Sequence, residues 1–187
     1  MESLKVDFAS FTGHKFYAPK GVGACIFKGE VAKNLLSKYP LLHGGNQQSG
    51  LRSGTECLPL ISGLAEAISL IKNESNLADI ESERNRLEQA LLDRSKRKGA
   101  KVIGSDMSRL PNTSLILGVI DLIDDNVLIT RGCGAACHSS SKCPSNVLKA
   151  MQLQDNILVQ DGDIVRISLG RYTTGYEIDK IINSLKD

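Results

Sequence analysis

Val6-Asp7-Phe8-Ala9-Ser10-Phe11-Thr12-Gly13-His14-Lys15-Phe16-Tyr17-Ala18-Pro19-Lys20-Gly21-Val22-Gly23 is the stretch from which the rest of the chain is read. A short strand-like segment at Val6 and Phe8 leads into a small polar turn, then His14-Lys15, then a loop punctuated by Pro19, Gly21 and Gly23. A lysine in that setting is expected to be partly desolvated, with a hydroxyl, an imidazole and the cation Lys20 beside it. Those conditions ease loss of the ammonium proton and let the amine attack a carbonyl. Taken alone, the run reads first as an exposed loop lysine. Three stretches further along reverse that order.

The first of these is Gly44-Gly45-Asn46-Gln47-Gln48-Ser49-Gly50-Leu51-Arg52-Ser53-Gly54-Thr55-Glu56. Its glycines free the backbone to approach an anion, and Arg52 and the Thr55 hydroxyl are able to bind phosphate oxygens. A flexible surface loop is the competing reading. In Gly132-Cys133-Gly134-Ala135-Ala136-Cys137-His138-Ser139-Ser140, small residues make a loop that exposes a thiol, and His138 can help form the thiolate. Cys133, Cys137, His138 and Cys143 also supply soft metal ligands, but their spacing is not that of structural zinc sites, so no metal is expected. Last comes Val165-Arg166-Ile167-Ser168-Leu169-Gly170-Arg171-Tyr172-Thr173-Thr174, where a strand arginine facing a cleft can clamp a carboxylate through two parallel hydrogen bonds.

In this order and spread over nearly the whole chain, these motifs resemble the cysteine desulfurase and selenocysteine lyase family, class-V aminotransferase-like enzymes that use pyridoxal 5'-phosphate. The resemblance implies a role for each motif. Lys15 becomes the Schiff-base lysine, and Thr12 and His14 hold the cofactor phosphate. Thr55 reaches the phosphate of the partner subunit in a homodimer. The Gly-x-Ala-Cys-His/Ser-Ser pattern puts the nucleophilic cysteine at Cys137, with Cys133 a neighbour. The Arg-x-Ser-x-Gly-Arg pattern makes Arg166 the holder of the substrate's α-carboxylate and leaves Arg171 outside the site. Arg109-Leu110-Pro111-Asn112-Thr113 matches a family segment that looks like a turn into a core strand and is given no chemistry. Val6-Asp7-Phe8, Gly13-His14-Lys15-Phe16-Tyr17 and Gly134-Ala135-Ala136-Cys137-His138-Ser139 lean toward the selenocysteine lyase branch. Ala18 and Gln48 in place of the usual Gly and Glu, and Cys57 where Asn is common, depart from the pattern.

The function so implied is conversion of L-selenocysteine to L-alanine with release of selenium to an acceptor protein. One alternative is sulfur transfer from L-cysteine through a Cys137 persulfide; another is a non-catalytic segment that dimerises with a full-length relative. The implied fold is α/β, a truncated fold-type-I pyridoxal-phosphate transferase. Residues 1–75 would be the end of the large cofactor-binding domain and residues 76–187 an α+β small domain. In the family the lysine lies near mid-chain, whereas here it is residue 15. The aspartate that faces the pyridinium nitrogen, the stacked histidine and a phosphate-binding turn would belong to the half before it. The chain alone is therefore expected to bind cofactor poorly and to be inactive.

Periodicity gives the coarse layout. Gly23–Phe27 reads as a short buried strand, and a modest helix follows near Glu30–Ser37. Ile61, Leu64, Ala65, Ile68 and Ile71 recur with helical spacing, with Pro59 in the first turn. A second helix carrying Leu77, Ile80, Leu87 and Leu91 is expected to stop at Gly99, with the basic cluster Arg94–Lys98 at its end. Val102-Ile103, Ser114–Leu117 and Ile164–Leu169 read as strands, Val127–Ile129 is ambiguous, and Pro144 suits the start of another helix. Thr174 and Glu177 spell a capping box ahead of the apolar face Ile178, Ile181, Ile182 and Leu185.

A net charge of +2 gives no reason to expect nucleic acid or an anionic membrane as partner. No apolar run approaches the ~20 residues of a bilayer span. Five cysteines with irregular spacing and no export signal fit free thiols in a reducing, cytoplasmic setting better than a disulfide framework.

Overall fold

The computed structural model describes residues 5–30, 34, 38–40, 42–73, 76–123, 150 and 164–186. The chain divides into two compact units, Met1–Ser75 and Asn76–Asp187. No helix among the described residues is long and apolar enough to cross a membrane.

In the first unit, β1 (Phe8–Thr12) and β2 (Gly23–Phe27) form an antiparallel pair in which Phe8 faces Phe27 and Thr12 faces Gly23. A 3-10 turn over Gly13–Phe16 follows β1 directly, so Ser10–Thr12 belong to the strand and the turn is made by Gly13-His14-Lys15-Phe16 itself. β2 is mostly exposed rather than buried as expected, because a two-stranded sheet covers neither of its own faces. The helix α1 (Leu58–Asn73) has Pro59 in its first turn, where a missing N–H costs no intrahelical bond. It packs closely on the connection between the strands. Gly63 has no side chain because a Cβ there would come within 2.7 Å of the Pro19 ring. A Cβ on Gly13 would meet Ala18 at 2.8 Å and Leu64 at 2.9 Å. Ala18, Leu64 and Ala67 form the small core, with Phe11, Phe16, Val22 and Ile68 against it.

The second unit is a three-stranded antiparallel sheet, β3 (Lys101–Val102), β4 (Thr113–Leu117) and β5 (Ile164–Ser168), with β4 in the middle. Two helices, α2 (Leu77–Arg94) and α3 (Gly175–Ser184), pack on it, and the turn after β4 adds Val119, Leu122 and Ile123 to the core. Ile80, Leu87 and Leu91 of α2 join Ile178, Ile116, Val165, Ile167 and Leu169 in one buried cluster. Since strand side chains alternate, Ile164, Arg166 and Ser168 lie on the other sheet face, where Ile164 packs with Ile103, Leu115 and Leu117. The capping box at the start of α3 is complete: Thr174 Oγ1 accepts from the Glu177 N–H at 3.3 Å, and Glu177 Oε2 accepts from the Thr174 N–H at 2.8 Å. Ile178 and Leu185 are buried, with Ile181 and Ile182 beside them.

α2 ends at Arg94 and not at Gly99. Ser95 leaves the helix in extended conformation, and its hydroxyl donates to the Gly118 carbonyl at 2.7 Å, which turns the chain toward β3. The basic cluster is accordingly shared out. Arg94 donates to the Ile182 carbonyl, and Arg97 pairs with Asp121 at 2.5 Å. The helix expected near Glu30–Ser37 lies largely outside the described residues. Val127–Ile129 and the Pro144 helix lie wholly outside them.

Two charged side chains interrupt the apolar stripe of α2. Arg84, 3% exposed, and Glu88, 8% exposed, lie one turn apart, 3.6 Å between Nε and Oε1. Arg109 closes on the Glu88 carboxylate with two bonds, 2.7 and 3.2 Å. Arg84 also donates to the Leu110 carbonyl at 2.6 Å. Burial alone would raise the Glu88 pKa, but the bonds and charge of Arg109, with smaller help from the Ser114 hydroxyl and the charge of Arg84, more than offset it and hold the carboxyl below its ordinary value of 4.5.

Two outcomes follow for stability. With its folded value depressed, Glu88 stabilises the fold fully above about pH 4.5, and the contribution fades as pH falls through the lower folded value. Glu88→Gln is expected to cost the second unit about 3 kcal/mol at neutral pH, since a buried guanidinium loses its partner. Urea unfolding followed from pH 7 down to 3 should show the gap between wild type and variant shrinking across that acid window. In the first unit, Gly13→Val is expected to lower stability by about 1–3 kcal/mol through overpacking, read from its thermal unfolding.

Candidate active-site residues

Lys15 stands on a turn whose apolar members are fixed and whose polar members are not. Phe16 is partly buried and lies against Phe11, ring centroids 5.8 Å apart, while Ala18 is buried on Leu64. The Gly13 N–H donates to the Val22 carbonyl at 2.9 Å, and the Ala18 N–H donates to the Gly13 carbonyl at 3.1 Å. Tyr17 takes the left-handed conformation, φ 72°, to close the turn. With Gly13, Phe16 and Ala18 committed inward, His14 and Lys15 are both exposed. The expectation that Lys15 is partly desolvated is therefore corrected: this tight turn sends its amine outward, where no described residue covers it. Thr12 Oγ1 and His14 Nδ1 share a hydrogen bond of 3.0 Å, so the hydroxyl and imidazole read from the sequence do stand together beside the lysine.

The Gly44–Glu56 stretch is a loop, as read, but a closed one. The Ser53 hydroxyl, buried, donates to the Gly45 carbonyl at 2.6 Å. Gln47 Oε1 accepts from the Gly54 N–H at 3.2 Å, and Gln48 Nε2 donates to Glu56 at 3.2 Å. Arg52 Nη1 donates to the Gly54 carbonyl at 3.2 Å. Thr55, at the end of the closed loop, is exposed. Ser53 and Gln47 are positioning residues of this loop that its motif does not single out. The signal was available, since a loop this rich in glycine needs side chains to hold its carbonyls and amides.

Arg166 lies in β5 opposite Leu115, partly exposed, on the sheet face away from the buried helix cluster. Among the described residues its guanidinium makes no hydrogen bond or ion pair, unlike Arg84, Arg86, Arg94 and Arg109, each of which is engaged. The Arg171 carbonyl accepts from Asn76 Nδ2 at 2.8 Å, which ties the strand exit to the start of α2. Cys137 lies outside the described residues, as do Cys133, His138 and Cys143.

The comparisons agree on one family. The model of the aminotransferase class-V family matches residues 1–181. A cysteine desulfurase of Nostoc sp. is 39% identical over 195 residues, covering 100% of this chain and 46% of its own length. A cysteine desulfurase of Cereibacter sphaeroides is 36% identical over 191 residues, with 99% and 46% covered. The structure of a NifS-like protein from Rickettsia africae superposes with a TM-score of 0.71 at 26% identity, covering 98% of this chain and 47% of that one. The chain thus spans about half the length of the curated relatives it matches. The two units carry the corresponding part of a type I pyridoxal-phosphate-dependent fold. By the extent of these matches, the chain belongs to the class-V aminotransferase family of pyridoxal-phosphate-dependent enzymes.

Proposed function

We propose that this chain is the C-terminal half of a cysteine desulfurase, Met1–Ser75 ending its large cofactor-binding domain and Asn76–Asp187 forming its small domain. What supports this reading is the match of the class-V aminotransferase model to residues 1–181 and the cysteine desulfurase relatives, together with Lys15 standing beside the bonded Thr12–His14 pair on a turn packed through Phe16 and Ala18. A primary amine suits an aldehyde, and a hydroxyl with an imidazole suits a phosphate, so the donor set fits pyridoxal phosphate. The named relatives are cysteine desulfurases. They support sulfur as the transferred element over the selenium that the Gly-His-Lys-Phe-Tyr and Ala-Cys-His-Ser runs first suggest.

Each residue then has a task. Lys15 Nζ binds the cofactor aldehyde, and Thr12 and His14 bind its phosphate. Thr55 serves the same phosphate from the other subunit of a homodimer. When bound, the cofactor supplies an electron sink for the substrate's Cα. Arg166 holds the α-carboxylate of L-cysteine with a bidentate pair of bonds and so orients the Cα–H bond. Lys15 Nζ moves the Cα proton. The Cys137 thiolate takes the substrate sulfur as a persulfide, and L-alanine leaves. An acceptor protein then removes the outer sulfur.

The test begins at Lys15. The chain, alone and mixed with a full-length relative, is treated with pyridoxal phosphate and then borohydride. Mass spectrometry is expected to find the pyridoxyl label on Lys15 and none in Lys15→Ala. In the form that turns over L-cysteine, Arg166→Lys should raise KM on the order of tenfold with little change in kcat, as a bidentate clamp becomes a point charge. Cys137→Ser should retain the label and lose the persulfide. No label on Lys15 in either setting would return the chain to a non-catalytic dimerising segment.

A further inference from the structure

Alternation along β5 sets which face Arg166 occupies but not how far along the sheet it stands. Side chains repeat every two residues, so sliding β5 by two residues on β4 keeps Val165, Ile167 and Leu169 inward and displaces Arg166 by about 7 Å. On the outer face Leu115 and Leu117 are alike, so apolar matching discriminates poorly between these registers. A polar contact at the strand end holds the observed register. The Asn112 carbonyl accepts from the Leu169 N–H at 2.8 Å, and Asn112 Nδ2 donates to the Leu169 carbonyl at 3.0 Å. One residue thereby takes both backbone groups of Leu169. Thr113 Oγ1 donates to Asn112 Oδ1 at 3.2 Å, which orients the amide. The turn that carries Asn112 is fixed in its own right, through Arg109 on Glu88 and the Leu110 carbonyl on Arg84.

We propose that Asn112 is a positioning residue for Arg166: it locks β5 in the register that sets the guanidinium opposite Leu115, and so determines where the substrate's carboxylate is held. This rests on reading Arg166 as the carboxylate clamp. The side chain of Asn112 touches neither substrate nor cofactor in this account and acts only through Leu169.

Asn112→Asp keeps the size of the side chain and replaces its donor with an oxygen. In the form that turns over L-cysteine, with ¹⁵N-labelled arginine in this chain, L-alanine is titrated against the Arg166 Nε signal, and hydrogen exchange is followed at the Leu169 amide. The wild-type signal is expected to shift saturably. The variant should need about tenfold more L-alanine, and its Leu169 amide should exchange about tenfold faster, the effect of one hydrogen bond left unmade. The Leu87 amide in α2 should exchange as in wild type, which separates loss of register from loss of fold. Thr113→Val, which frees the Asn112 amide, should move both readouts the same way by a smaller factor. Equal titrations and equal Leu169 exchange in wild type and Asn112→Asp overturn the proposal. If the wild-type Arg166 signal ignores L-alanine while Leu169 exchange still accelerates in the variant, the carboxylate role of Arg166 is what falls, and the register lock stands.

Discussion

A carboxylate taken out of water among guanidinium groups is stable only when its partners are correctly placed, and Glu88 imposes that condition on the whole second unit. It lies on the inward face of α2, one turn from Arg84, and accepts both bonds of Arg109. Because desolvation penalises the charge, the geometry of the turn carrying Arg109 has little freedom. That turn delivers the chain into β4, the central strand, and its Asn112 meets the end of β5. The position of helix, turn and two strands is thereby linked to one ionic contact, with the apolar cluster of Leu87, Leu91, Ile116 and Val165 filling the space it defines.

The first unit follows a different logic, in which the absence of side chains does the positioning. Gly13 and Gly63 let the strand connection and α1 approach to distances that any Cβ would forbid. Packing then consumes Phe16 and Ala18, and what the turn has left to present is His14 and Lys15. The amine is thus held by its neighbours' burial, with its backbone rigid and its head group in the open. A side chain on such a turn has a fixed origin and a free end, which is compatible with the cofactor-bonding role proposed for Lys15.

Much of this architecture was legible in the residues. Helical spacing in Ile61–Ile71 and Leu77–Leu91 located α1 and α2, and Thr174 with Glu177 located the start of α3, because periodicity and capping are local properties. α2 ends several residues before Gly99: no glycine or proline stops it at Arg94, and the contact that does, Ser95 with the Gly118 carbonyl, spans distant parts of the chain. Arg84 and Glu88 stand among Ile80, Leu87 and Leu91 of one helix, but their burial as a pair and the approach of Arg109 are decided only by folding. Lys15 was legible as chemistry and not as environment, since solvation depends on what packs over a side chain.

By itself the sequence determined the family, the order of the motifs and the positions of the helices, and it named the residues proposed here for an aldehyde, a phosphate and a carboxylate, because these reside in residue types and short spacings. The exposure of Lys15, the closure of the glycine-rich loop by Ser53 and the register that puts Arg166 opposite Leu115 were decided only in three dimensions. Each depends on hydrogen bonds or packing between segments distant along the chain, or on turns whose side chains must divide between core and solvent, and a period-two strand pattern carries no record of which two-residue register its neighbour selects.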